Sequence, residues 1–107
     1  MAQRSLEQLS QELQAELEDI LESGNVYYNP PPSVHMNYDA IVFNRSNINN
    51  SFANNSVYRQ SYVYEVTTIT EDPDAEVIGK VSRLPGCVFE RSFVSDNLYH
   101  NVFKLHR

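Results

Sequence analysis

The sequence predicts an α+β fold: a small antiparallel sheet built around one long strand, with two helices packed on one face. Three observations lead there. Residues 56–70, SVYRQSYVYEVTTIT, are dense in β-branched and aromatic side chains and hold no glycine or proline; such side chains pack well on a pleated surface. Residues 5–21 repeat leucine and isoleucine at three- and four-residue spacing, the period of an amphipathic helix. Finally, the elements run helix, two short strands, long strand, helix, two strands, an order that suits an antiparallel sheet.

The first helix draws its apolar stripe from Leu6, Leu9, Leu13, Leu17, Ile20 and Leu21, with Glu7, Gln11, Glu18 and Glu22 opposite. Ser5 and Gln8 fit a capping box, and Gly24 is a natural stop. The stripe lasts barely two heptads, too short for a coiled coil. Val26-Tyr27-Tyr28 reads as a short strand. Asn29-Pro30-Pro31-Pro32 then removes three backbone donors and reads as a rigid surface connection, with a polyproline ligand as the alternative. Ala40-Ile41-Val42-Phe43 is a short buried strand.

Residues 44–55, NRSNINNSFANN, read as a loop, because Asn and Ser hydrogen-bond locally and tolerate left-handed geometry. The N-x-S triplets at Asn44, Asn49 and Asn54 follow from that composition. Ile48 and Phe52 are unusual in a solvated loop. Either they fold back onto the domain or they anchor in a neighbouring subunit.

In the long strand the even positions Tyr58, Tyr62, Tyr64, Val66 and Thr68 form the expected core face. Val63 and Ile69, on the face shared with Arg59, Ser61 and Glu65, indicate that this second face is partly covered too. At about 3.3 Å per residue the strand would reach roughly 50 Å. Asp72 as N-cap and Pro73 at the first helical position predict a second helix, with Asp74 and Glu76 complementing its positive end. Ala75, Val77, Ile78, Val81 and Leu84 form its buried face, and Pro85-Gly86 ends it. A calcium-loop reading of these carboxylates lacks the glycine and the distal glutamate. Residues 87–94 and 98–105 read as a hairpin turning at Ser95-Asp96-Asn97.

The 107 residues suit one domain, residues 1–107, and the net charge of −6 argues against a nucleic-acid-binding stripe, though not against a protein past which DNA moves. One cysteine, Cys87, allows neither an internal disulfide nor a thiolate metal cage. No apolar run reaches membrane-spanning length, and M-A-Q-R-S-L-E carries no signal-peptide core, so synthesis and retention in a cytoplasm are expected. His35, His100 and His106 have no metal-ligand spacing, no G-x-S-x-G elbow occurs, and no glycine-rich phosphate loop is present. The expectation is a protein without catalytic residues, cofactor or metal.

Asn25-Val26-Tyr27-Tyr28, Pro31-Pro32, Ile41-Val42-Phe43, Ala53-Asn54-Asn55, Tyr58 and the T-x-I-x-x-D-P-D that closes the long strand resemble small structural proteins of tailed bacteriophages. The likeness continues through Leu84-Pro85, Cys87-Val88-Phe89, Asp96-Asn97-Leu98, His100 and Val102-Phe103, covering most of the chain after the first helix. It departs at Tyr38-Asp39, where the family pattern has a proline before Ala40. The resemblance is to the tail-terminator or tail-completion class. It implies a virion protein of the neck that forms a ring, commonly a hexamer, capping the tail tube and joining it to the head connector, with DNA passing through unread.

On that reading the partners are further copies of the chain, the tail tube protein and the head connector or head-completion protein. Asn44, Arg45, Ile48, Asn49, Phe52, Asn54, Asn55 and Arg59 are the candidate interface. Glu65, Glu71, Asp72, Asp74 and Glu76 are candidates to line the lumen, where acidic groups would repel DNA phosphates. The alternatives are another neck or minor structural protein (a head-completion or adaptor protein), or a stand-alone binding module using the Pro-rich and Asn-rich segments.

Overall fold

The computed structural model describes residues 5–107, apart from the side chains of Val57 and Tyr58; the expectation that Tyr58 faces the core lies outside the described residues. The chain forms α1 (Leu6–Leu21), β1 (Val26–Tyr28), β2 (Ala40–Ala53), β3 (Ser56–Thr70), α2 (Glu76–Ser82), β4 (Cys87–Ser95) and β5 (Leu98–His106). The architecture is α+β, with one five-stranded sheet in the order β1-β2-β3-β5-β4.

The sheet is mixed rather than purely antiparallel. β1 runs parallel to β2, Tyr28 opposite Phe43, while every other pair is antiparallel. A parallel neighbour needs a crossover of roughly a dozen residues, and residues 29–39, stiffened by three prolines, supply it.

The segment read as an Asn-rich loop is strand. β2 continues to Ala53, so the sheet has two long strands, of 14 and 15 residues. Local propensity loses here to pairing, since β3 runs alongside as a ladder from Ser56 to Glu65 that includes Val57, Tyr62, Val63 and Tyr64 and is interrupted by two irregularities. The turn fixes the register. Asn54 and Asn55 hold φ of 53° and 62°, the pair of left-handed residues that a two-residue type I′ hairpin requires. Asp96 and Asn97 repeat it, at 53° and 62°, between β4 and β5, as that turn's sequence predicts.

α1 opens on the expected capping box: the Gln8 N–H donates to Ser5 Oγ at 3.1 Å, and the Ser5 N–H donates to Gln8 Oε1 at 3.0 Å. Its left-handed terminal residue is Glu22, not Gly24. α2 starts later than predicted, with Ala75 as N-cap and no side-chain cap. Asp72 serves a turn instead. Its carboxylate accepts from the Asp74 N–H, and its carbonyl accepts from Thr70 Oγ1, each at 2.8 Å, so the residues meant to begin the helix are spent anchoring the end of β3. Gly86, at φ +80°, has the His106 carbonyl oxygen 2.3 Å from where a Cβ would stand. A side chain there is sterically forbidden.

Leu13 and Leu17 of α1 and Val77 and Val81 of α2 join one core with Ile41, Phe43, Tyr64, Val66, Phe103 and Leu105. The even positions of β3 thus supply the core face, as predicted. Leu9, Ile20 and Leu21 are half-buried and Leu6 is exposed. On the second face Val63, Ile69 and Val102 are also buried. There Pro30, Pro31, Pro32, Val34 and Met36 cross the sheet and border a depression of about 350 Å³ floored by Val42, Thr67, Ile69 and Val102. The proline segment is therefore a strap on the sheet.

Candidate assembly surface

β1 leaves β2 at Phe43 and β5 leaves β3 at Val63. Beyond those points, apart from two backbone hydrogen bonds between Tyr62 and Arg107 at 2.8 and 2.7 Å, β2 and β3 pair only with each other, and residues 44–62 form a two-stranded arm. The molecule is 51 Å long and only 24 × 23 Å across, close to the roughly 50 Å that a 15-residue strand spans. Ser46 bulges from β2, its hydroxyl donating to the Val63 carbonyl at 3.2 Å, and a second irregularity lies between Ser51 and Phe52. Bulges increase local twist.

Polar side chains lace the arm. Gln60 Nε2 donates to Asn50 Oδ1 at 2.9 Å across the strands, and Tyr62 Oη donates to Gln60 Oε1 at 3.0 Å. Asn47 Nδ2 donates to Asn49 Oδ1 at 3.0 Å, and Asn47 Oδ1 accepts from the Ile48 N–H at 2.9 Å. Of the predicted interface residues, the structure gathers Ile48, Asn49, Phe52, Asn54, Asn55 and Arg59 on the exposed arm. Ile48 is 40% exposed and Phe52 64%. Asn44 and Arg45 sit at its root, half-buried. Arg45 is held by the fold: its guanidinium donates to the Leu6 carbonyl at 3.2 Å and lies 5.6 Å from the centre of the Tyr64 ring.

A second exposed apolar surface lies along β4. β4 is one of the two edge strands, β1 being the other, and Val88, Phe89, Phe93 and Val94 are 57%, 55%, 43% and 63% exposed. Its apolar residues read as one strand of a hairpin, and their exposure follows from the place of β4 at the edge of the sheet. One sequence signal was available: Glu90-Arg91 in mid-strand, an ion pair at 3.0 Å, is the kind of charge that edge strands carry. Glu90 is also the extra residue of a bulge, since Phe89 opposes Phe103 while Arg91 opposes Val102. Phe93 stacks on His100 with ring centres 4.7 Å apart.

The proposed lumen acids do not form one group. Glu71, Asp72, Asp74 and Glu76 are exposed together between β3 and α2, whereas Glu65 lies further back along β3, 3.2 Å from Lys104 Nζ. Among the described residues no cluster of three or more His, Cys, Asp or Glu could hold a metal ion. Burial pushes the Cys87 thiol up from its ordinary value, and the Arg107 charge opposes this only in part, so the chemistry is that of an unactivated thiol. A cavity of about 330 Å³ lies between α1 and the root of the arm, bordered by Leu13, Gln60, Tyr62, Tyr64 and Arg107. Among the described residues no helix is long and apolar enough to cross a membrane. The chain matches no protein-family model, and no curated protein matches it at a significant level.

Proposed function

We propose that this protein is a structural subunit that assembles with copies of itself into a ring at the head–tail junction of a tailed phage, terminating the tail tube and joining it to the head connector. The observation that carries this reading is the arm. Two strands are extended well beyond the sheet that stabilises them, and Ile48 and Phe52 stand exposed on the extension. A monomer gains nothing from holding two large apolar side chains in water on a projecting hairpin, whereas an interface would bury both. A ring needs two different patches per subunit, because heterologous contacts close head to tail; the arm and the β4 edge are two such patches at opposite margins of one sheet. Both helices pack on one face of that sheet, and the ring wall is built from sheets of this kind. The Glu71, Asp72, Asp74 and Glu76 cluster faces the DNA path and keeps phosphates from binding.

The test is genetic. Interrupting the coding sequence in the genome that carries it should leave filled heads and finished but unjoined tails, and supplying the chain in trans should restore joined particles. Fully joined virions in its absence would overturn the proposal and leave a free-standing binding module.

A further inference from the structure

Two of the open strand edges, the outer edge of β2 beyond β1 and the outer edge of β4, match each other in length, spacing and direction. The outer edge of β2 is open from Asn44 to Ala53, and β4 is open along Cys87–Ser95. The free edge of β3, residues 56–61, is shorter and lacks exposed aliphatic or phenyl groups among its described side chains.

Spacing is more discriminating than length. Ile48 opposes Tyr62, and the alternation along β2 puts Ile48 and Phe52 on one face, four positions apart. Phe89 and Val94 are five apart in sequence, but the Glu90 bulge removes one step. They oppose Phe103 and Tyr99 and so also stand four ladder positions apart on one face. Both pairs lie on the face that carries Tyr64, Val66, Phe103 and Leu105.

Direction agrees as well. Across β2, β3, β5 and β4 each strand runs opposite to the last. A second copy placed beside β4 in the same orientation therefore presents its β2 antiparallel, with the helix-bearing faces continuous. Residues 44–62 contain two of the eight basic residues and none of the fourteen acidic ones, so the rest of the chain carries −8 while the arm carries +2. A positive arm on an acidic body favours the body of another copy as its partner.

We infer that copies of this chain join edge to edge, the outer edge of β2 in one arm adding antiparallel to β4 of the next copy, with Phe52 beside Phe89 and Ile48 beside Val94. The added backbone hydrogen bonds satisfy an otherwise open ladder. The stagger between copies tilts the strands relative to the assembly axis, as closure of a sheet requires. This inference gives the assembly surface of the preceding section its partner and register, but it does not depend on a place in a virion.

The purified full chain tests it. In a Cys87→Ser background, Ala53→Cys with Val88→Cys places one thiol on each edge at positions that this register sets directly opposite. Cross-strand partners stand roughly 4.5–5.5 Å apart at Cα, within disulfide range. Mild oxidation should yield covalent multimers. Ala53→Cys with Val94→Cys, displaced by five ladder positions, should yield few, and adding Phe52→Lys to the first pair should weaken association at least tenfold by sedimentation. A chain that stays monomeric at every concentration without linking, or links equally in both pairs, or still associates after Phe52→Lys, would overturn the inference. A failure of head–tail joining with this linking intact would refute the virion role alone.

Discussion

Leu17→Ala and Phe52→Ala delete apolar side chains from opposite ends of the exposure scale, and the account ties their different effects to different roles. Leu17 is fully buried between α1 and the sheet, in contact with a core that includes Phe43, Tyr64 and Leu105. Truncation there removes transfer energy and leaves a cavity, together about 3–4 kcal/mol. For a small domain this is a large share of a total near 5–15 kcal/mol, and at about 4–5 °C per kcal/mol the midpoint should fall by roughly 12–20 °C. Phe52 is 64% exposed, so only about a third of its apolar area is lost, about 0.5–1 kcal/mol. Both are measured by urea unfolding and by thermal melts followed in far-UV circular dichroism at low protein concentration, where copies do not associate. Equal losses for the two variants, or a Leu17→Ala midpoint within a few degrees of the parent, would refute the assignment of core and arm.

Tyr64 Oη and Thr68 Oγ1 are buried without a hydrogen-bond partner among the described residues; Tyr64→Phe and Thr68→Val should each be neutral or stabilising by up to about 1 kcal/mol, and a loss of more than that in urea unfolding would show a hidden partner. Ser5→Ala removes one half of the capping box and should cost about 1 kcal/mol, with Gln8→Ala losing the reciprocal bond. Asn55→Gly should stabilise the arm's turn by a few tenths of a kcal/mol, because glycine carries no steric penalty at positive φ; a drop in melting temperature would mean that the asparagine side chain matters for something else. The raised Cys87 pKa makes its alkylation by iodoacetamide slower than that of a free thiol between pH 7 and 9. The folded-state stability that comes from keeping the thiol protonated is complete below the unfolded pKa and declines as pH rises through the folded one. A rate equal to or above that of free cysteine would contradict the burial.

What could be read from the chain depended on how local its causes were. The α1 stripe, the Ser5–Gln8 box, the core face of β3 and the Asp96-Asn97 hairpin all follow from interactions within a few residues, and each is visible in sequence. The strand character of 44–53 was hidden because Asn and Ser have low intrinsic β-preference and acquire it only by pairing with residues 56–65. The Asn54-Asn55 step was the available clue, since two adjacent residues that tolerate positive φ between apolar-containing runs mark a tight hairpin. The α2 start was misplaced because Asp72 has two uses, cap or turn, and a hydrogen bond from Thr70 decides between them. Of the candidate site, the residues on the arm were legible as apolar groups out of place. The β4 edge was not, because exposure of a strand depends on its rank in the sheet, and that rank is set by long-range pairing.

The central claim is a place in a particle, and the direct measurement is electron microscopy of virions assembled with this chain carrying an affinity tag at its C-terminus and a gold-labelled ligand for that tag. The account predicts label at one position on each particle, the joint between head and tail, and at one end only of tails prepared without heads. Label distributed along the tail or over the capsid, or virions carrying none, would contradict it.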